Sequence, residues 1–279
     1  MKKEDWTIIN SGGRGFSLNL YEIWKYRDLL LLMVRRDLVA LYKQTILGPL
    51  WLIIQPLLTT ITFTIIFGRL AKLSTEGTPP ILFYMSGVIM WNYFSDNLVK
   101  TSNTFISNAN IFGKVYFPRL IVPLSITMSN LISFFIQFIM FILLLIYFSF
   151  QNYIEINVNI LLFPFLVVIL AGLGLGIGII ISSMTTKYRD LRFLITFGTQ
   201  LLMFLTPVVY PLSSIQGTAR DILLMNPVTS IIETFRSSFL GTEMPPYSAL
   251  LYSFLFMIVT LISGVVIFNR TEKNFMDTV

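Results

Sequence analysis

Six stretches of the chain carry no charged residue over lengths near that of a membrane span. A spanning helix needs about 20 mostly apolar residues. The windows are Gln44 to Gly68 (25 residues), Gly77 to Ser95 (19), Leu120 to Ile154 (35), Ile156 to Thr186 (31), Phe193 to Ala219 (27) and Met244 to Asn269 (26). The third holds one span with a tail and is too short for two. This pattern predicts an all-α integral membrane protein with six transmembrane helices, at about 47–68, 79–99, 120–147, 160–182, 192–211 and 248–268. Residues 44–279 then form a single membrane domain, and residues 1–43 form a cytoplasmic N-terminal segment with an amphipathic helix.

Four connecting segments are not ordinary loops. In Leu18 to Lys43, the residues Leu20, Ile23, Leu30, Val34, Leu38 and Leu41 fall three, four or seven apart, which marks one helix face. Glu22, Lys25, Arg35, Arg36 and Lys43 lie largely off that stripe. Such a helix rests in the headgroup plane, either as a plain anchor or as an anchor that also meets a cytoplasmic partner. Gly48-Pro49 then breaks the helix before span 1. In Thr101 to Pro123, Asn108 or Asn110 is placed to cap a short helix running to Tyr116, which Pro118 stops. Its basic residues suit any cytoplasmic loop, whereas Ile111, Phe112, Val115, Tyr116 and Phe117 suit a docking knob.

The third segment is Thr185 to Arg192, where Thr186 is placed to cap span 5 and Asp190 to pair with Arg189 or Lys187. The fourth is Thr206 to Tyr247, about 40 residues on the outer side, opened by Pro207 and Pro211 and closed by Pro245-Pro246. Its apolar runs Ile222 to Met225 and Ile231 to Leu240 are too short to cross. Irregular or half-length backbone at membrane depth is tolerated only when buried in protein or lining a cavity. The expectation is a pair of re-entrant or interfacial helices at an exit; ordinary surface helices are the alternative.

Six spans place both termini on one side, and the basic residues choose which. One set of segments holds 16 Lys and Arg, the other holds 4, and the split is 12 to 4 when only residues near a span count. Both termini are expected to be cytoplasmic. Composition agrees: 55% of residues are hydrophobic and only 12% charged, with mean hydropathy +0.76. A soluble domain carries roughly 25% charged residues. The net charge of +6 therefore reads as orientation in a membrane and not as nucleic-acid binding.

Absent residue types remove whole chemistries. There is no Cys and no His, so thiolate nucleophiles, Cys metal sites and the commonest general base are missing. Met1 to Trp6 offers no apolar core for a cleaved signal peptide. Gly172, Gly174, Gly176 and Gly178 lie inside an apolar span and read as close helix packing, not as a dinucleotide loop. Asp96 alone approaches the membrane interior, with Glu233 placed outside it. An ion-coupled pump usually buries ionisable groups mid-membrane, so the driving force is expected from elsewhere. The chain has no Gly-rich phosphate loop, so any nucleotide belongs to a partner.

The run Arg35-Arg36-Asp37-Leu38, Tyr42-Lys43-Gln44-Thr45-Ile46-Leu47-Gly48-Pro49-Leu50-Trp51 and Gln55-Pro56 resembles the start of ABC-2 type permeases that export polysaccharides. So do Lys187-Tyr188-Arg189-Asp190-Leu191, Thr206-Pro207-Val208-Val209-Tyr210-Pro211 and Asn226-Pro227, in the family's order. The resemblance implies an ABC-2 fold of the type V exporter kind with an interface helix and outer gate helices. It implies a homodimer joined to two copies of a separate nucleotide-binding ATPase, in the cytoplasmic (inner) membrane. ATP and Mg would sit on that partner, so this chain would hold no cofactor, metal or catalytic residue and would not itself be an enzyme.

By the same resemblance, Leu18 to Arg36 is the interface helix and Asn108 to Tyr116 the coupling helix. Arg35, Arg36, Asn108, Ile111, Phe112, Lys114 and Tyr116 become the residues that meet the ATPase. Spans 1 and 5 would line the pore, where Phe63, Phe67, Phe197, Phe204 and Tyr210 could offer faces to sugar rings. The expected cargo is a lipid-linked polysaccharide, O-antigen type first, with teichoic acid, a drug or a small lipid as alternatives. A membrane glycosyltransferase or phosphotransferase would need clustered carboxylates for a metal-bound phosphate, and no Asp-x-Asp pair occurs.

Overall fold

The structure, a computed structural model, describes residues 20–43, 46–112, 114–115, 117–150, 158–188 and 190–275. Among the described residues every regular element is helical. Helices α1 (Leu20–Lys25) and α2 (Arg27–Tyr42) form an N-terminal arm. The single amphipathic helix expected there is kinked at Tyr26, where φ is −97° and ψ 22°. Its hydrogen-bond ladder still crosses the kink, from Tyr26 to Glu22 and from Leu30 to Tyr26, both at 3.1 Å. The arm buries Met33 and Val34.

The chain then turns at Gly48, whose φ of +49° is a left-handed value that glycine adopts without a Cβ penalty. It passes through a 3-10 turn (Gly48–Leu50) into α3 (Trp51–Phe63), which widens into a π-helical stretch (Thr64–Leu70). There follow α4 (Pro80–Ser102), α5 (Thr104–Ser107), α6 (Ala109–Phe112), α7 (Ile121–Ser149), α8 (Phe163–Thr185), α9 (Leu191–Phe204), α10 (Thr218–Met225), α11 (Pro227–Leu240) and α12 (Tyr247–Phe275). The arm, α5 and α6 pack at one end of the bundle, here called the near end. α10 and α11 lie at the opposite, far end.

Among the described residues four helical stretches are long and apolar enough to cross a membrane: Gly48–Leu70, Ile121–Ser149, Asn159–Thr185 and Tyr247–Thr271. Two of the six expected spans differ, each for a physical reason. α4 has the length, but protein covers it: 16 of its 23 residues are buried, so it can carry Ser86 and Asn97 without meeting lipid. α9 is only 14 residues, about 21 Å at 1.5 Å per residue. The span expected over 192–211 stops at Phe204, because Pro207 lacks an N–H and disfavours helix in the residue before it.

α8 is the hub, and its glycines explain why. A Cβ on Gly172 or Gly176 would run into Met257, Leu261 and the α12 backbone, and one on Gly174 or Gly178 into Asn97 and Thr101 of α4. The two small-xxx-small pairs thus serve two different neighbours, one on each side. Around this hub sit two apolar cores. The larger contains an aromatic stack in which Phe138 of α7 lies 4.3 Å from Phe163 of α8, and Phe235 lies 4.7 Å from Phe239 on α11. The smaller gathers Met33, Phe105, Phe112, Phe117, Ile121, Val122, Ile179 and Phe268 at the near end.

Candidate functional site

A cavity of about 700 Å³ opens at the near end, between α2, α4, α5, α6, α7 and the start of α9. Arg36 and Asp37 face it from the arm, Lys100 and Asn103 from α4, Ser107, Asn108 and Ile111 from the short helices, and Arg192 from α9. From α7 come Ile126, Ser129, Asn130 and Ser133. Its polar groups are already braced against one another. Lys100 Nζ donates to Asp96 Oδ2 and to Asn130 Oδ1, both at 2.9 Å, and Asn130 Nδ2 donates to Asn97 Oδ1 at 2.8 Å. Arg36 is paired with Asp37 at 2.8 Å.

The polar wall of α7 has a four-residue repeat, Ser125, Ser129, Ser133 and Gln137, all buried. These four fall on one face of a helix with 3.6 residues per turn. The repeat continues inward past the cavity lining, and Gln137 Oε1 is a buried acceptor without a partner. Of the residues expected to couple to an ATPase, Arg36, Asn108 and Ile111 are therefore brought to one cavity. Arg35, Lys114 and Val115 are exposed at the surface. Tyr116 lies outside the described residues, as do Arg189, Gln44 and Thr45.

Phe112 differs from the exposed knob expected. Its ring is 3% exposed and lies 5.9 Å from Phe105 and 5.8 Å from Phe117, while Phe105 stacks at 4.5 Å on Phe268 of α12. Of the five clustered apolar side chains, Phe112 and Phe117 belong to the smaller core and Ile111 packs against it, while Val115 stays exposed. Asn108 caps through its backbone, whose oxygen accepts from Ile111 and Phe112, while its side chain donates to Thr104 O at 3.0 Å. The helix ends at Phe112, short of Tyr116. Thr186 does not cap α9; it closes α8 by donating to Ser183 O at 2.7 Å. α9 instead starts after Asp190, with no side-chain cap.

Among the described residues α7 and α12 each expose an apolar stripe, and so do the two segments expected to line a pore. Gly48–Leu70 buries only 11% of its apolar stretch and exposes Leu50, Trp51, Leu58, Ile61, Ile65 and Leu70. α9 exposes Phe193, Leu194, Phe197, Leu201 and Phe204 and buries Thr199 on its other side. The aromatic residues expected at a pore divide accordingly. Phe197 and Phe204 are exposed on α9, whereas Phe63 and Phe67 pack edge-on at 5.5 Å, Phe63 also facing Tyr84. Tyr210 is half-buried and donates its hydroxyl to Phe204 O at 3.1 Å.

At the far end the turn after α9 meets α11. Asn226 accepts from Val228 N at 3.1 Å, capping α11, and its amide donates to the Thr206 hydroxyl at 2.8 Å. Arg236 of α11 has no exposed surface. Its guanidinium donates to Pro207 O at 2.5 Å, Val208 O at 2.6 Å, Ser86 Oγ at 3.2 Å and Glu233 Oε1 at 3.0 Å, and lies 3.8 Å over the Phe83 ring. Ser213 in turn donates to Glu76. Glu233, expected outside the membrane interior, is buried within the protein beside Arg236. Their signal was present in the sequence: opposite charges three apart inside the apolar run 228–240 sit on one helix face. The Ser125 to Gln137 repeat was equally visible.

The sequence profile of the ABC-2 type transporter family matches residues 28–240. The chain belongs to that family. ABC-2 membrane chains are transmembrane subunits, so this is a multi-pass membrane protein whose own helices need carry no catalytic group. Among curated proteins it is similar to an O-antigen export system permease protein RfbA from Klebsiella pneumoniae, 28% identical over 258 residues, covering 92% of this chain and 97% of that protein. An RfbA of the same description from Myxococcus xanthus is 27% identical over 261 residues, covering 92% and 98%. A second Klebsiella pneumoniae RfbA is 29% identical over 258 residues, covering 92% and 97%. The matched ABC-2 region contains both the near-end cavity and the junction of Arg236 with the turn after α9.

Proposed function

We propose that this chain is the transmembrane subunit of an ATP-driven exporter of a lipid-linked polysaccharide of the O-antigen type. The observation that carries the reading is similarity along nearly the full length of permeases described for O-antigen export. The cavity supports it: hydroxyl and amide groups with nearby cations suit a sugar chain on an anionic head, and they open at the end that bears the arm.

In this reading the near end is cytoplasmic and the membrane is the inner one. The six spans are Gly48–Leu70, α4, α7, α8, α9 with its exit turn, and α12, with α10 and α11 as re-entrant helices on the outer side. The bare faces of Gly48–Leu70 and α9 meet a second copy, giving a homodimer with two copies of a separate ATPase that binds ATP and Mg. Closure of the ATPase pushes on the Asn108 to Tyr116 segment. The push reaches the spans through Phe105 and Phe112, which are already packed on Phe268 and α2. Phe105 N donating to Ser182 Oγ at 3.4 Å ties α5, which leads into that segment, to α8.

Depleting the chain and locating lipid-linked polysaccharide tests the reading. Polymer trapped inside with a bare surface is expected. Normal surface glycan would overturn the cargo and favour a drug or small lipid.

A further inference from the structure

Among the described residues of the far end, Arg236 is the charged side chain sealed completely from solvent. A buried charge persists only when its partners satisfy it, and removing one partner leaves the other uncompensated. The partners of Arg236 come from three segments: Glu233 from its own helix, Ser86 and Phe83 from α4, and the Pro207 and Val208 carbonyls from the turn after α9. The planar fork of a guanidinium is what lets one side chain grip two carbonyls in fixed directions. Gly87 makes room for it, since a Cβ there would lie 2.6 Å from Nη2.

Separate ties fasten α11 to its other neighbour. Ser230 and Ser253 hydroxyls lie 2.7 Å apart, joining α11 to α12, and Ser253 also donates to Pro227 O at 2.7 Å. Residues Val228 to Leu240 are buried without interruption. A flap that swings out of such a site would expose an apolar helix and strand an ion pair in the same movement.

We infer that Arg236 is a positioning residue for export. With Glu233 as its internal counter-ion, it fastens α11 and the Thr206 to Pro211 turn to the outer end of α4. These segments and the start of α12 travel as one body, and α11 does not swing separately. The inference rests on the proposed function for its export readout only.

The absence of cysteine from the chain makes the test clean. In the full complex, the Ser230→Cys/Ser253→Cys pair is oxidised to a cross-link. Export within twofold of the reduced sample is expected; a tenfold loss restored by reductant overturns the one-body claim. Separately, a nitroxide on Ser214→Cys, an exposed position beside the turn, reports its mobility. The label is immobilised in the parent and becomes mobile in Arg236→Lys, which keeps the charge and loses the fork, while export per inserted chain falls about tenfold. An immobile label with intact export overturns the positioning role. Should Arg236→Lys fail to accumulate, Glu233→Gln gives the same two readouts with a smaller fall, about threefold, and the same overturning result. Label mobility is read without cargo, so its failure is distinct from a failure of the export reading.

Discussion

Asn226 donates its side-chain amide to the Thr206 hydroxyl at 2.8 Å, linking two Xaa-Pro steps 20 residues apart. Each proline frees the backbone before it from helix, and the two freed residues hold each other. Asn226→Ala removes both the cap on α11 and this link. The expected cost is about 1–2 kcal/mol, a cap plus one hydrogen bond. Asn226→Asp keeps the acceptor for Val228 N and costs less. Thermal unfolding of the purified variants in detergent checks the order; equal losses would show that the cap on α11 contributes nothing.

Phe112 and Val115 separate anchoring from docking. Phe112 is sealed among aromatic rings, so Phe112→Ala costs about 3 kcal/mol or more. It is expected to lower the amount of inserted chain. Val115 is exposed three residues on, and Val115→Asp falls within about 0.5 kcal/mol of neutral. It is expected to keep the chain inserted while cutting the coupling of ATP hydrolysis to export. The ratio of hydrolysis to export in reconstituted complexes is the measurement, and an unchanged ratio removes this surface from the docking site.

Two glycines predict opposite signs. A Cβ at Gly176 would sit 2.9 Å from the Leu261 nitrogen, a backbone atom that cannot step aside. Gly176→Ala therefore forces α8 and α12 apart, at about 1–3 kcal/mol. Gly198 has nothing within 4 Å, and Gly198→Ala stabilises α9 by about 1 kcal/mol through helix propensity. Melting curves of the two variants should shift in opposite directions.

The wall of α7 predicts a transport defect without a folding defect. Ser129→Leu with Ser133→Leu fills part of the cavity with groups that a glycan cannot hydrogen-bond. Export is expected to fall at least tenfold at unchanged chain level, read as surface polysaccharide against membrane-inserted protein. Export at the parental rate would place the path of the cargo elsewhere.

The helices were legible in the sequence wherever lipid had to be satisfied. Charge-free windows located Gly48–Leu70, α7, α8 and α12, because a helix facing lipid must be apolar along its length. α4 was located by the same rule although its surface obeys another, since protein and not lipid surrounds it. Phe112 was read as an exposed knob because an apolar cluster in a loop looks the same whether it docks or packs. The decision lay with Phe268, more than 150 residues away, which no local pattern names. The spacing of Glu233 and Arg236 fits an ion pair but does not reveal that the pair is buried. Their partners are backbone carbonyls at Pro207 and Val208, and a carbonyl leaves no mark in an amino-acid sequence.

The covering of α4 also bears on how the chain is made. Asp96, Asn97 and Lys100 crowd one end of that helix, and placing such residues in lipid costs a nascent helix heavily. Its asparagine and lysine find their partner, Asn130, only once α7 has been synthesised, and its tight seat against Gly174 and Gly178 requires α8. The polar and packing partners of α4 are therefore complete only after two later helices have been made.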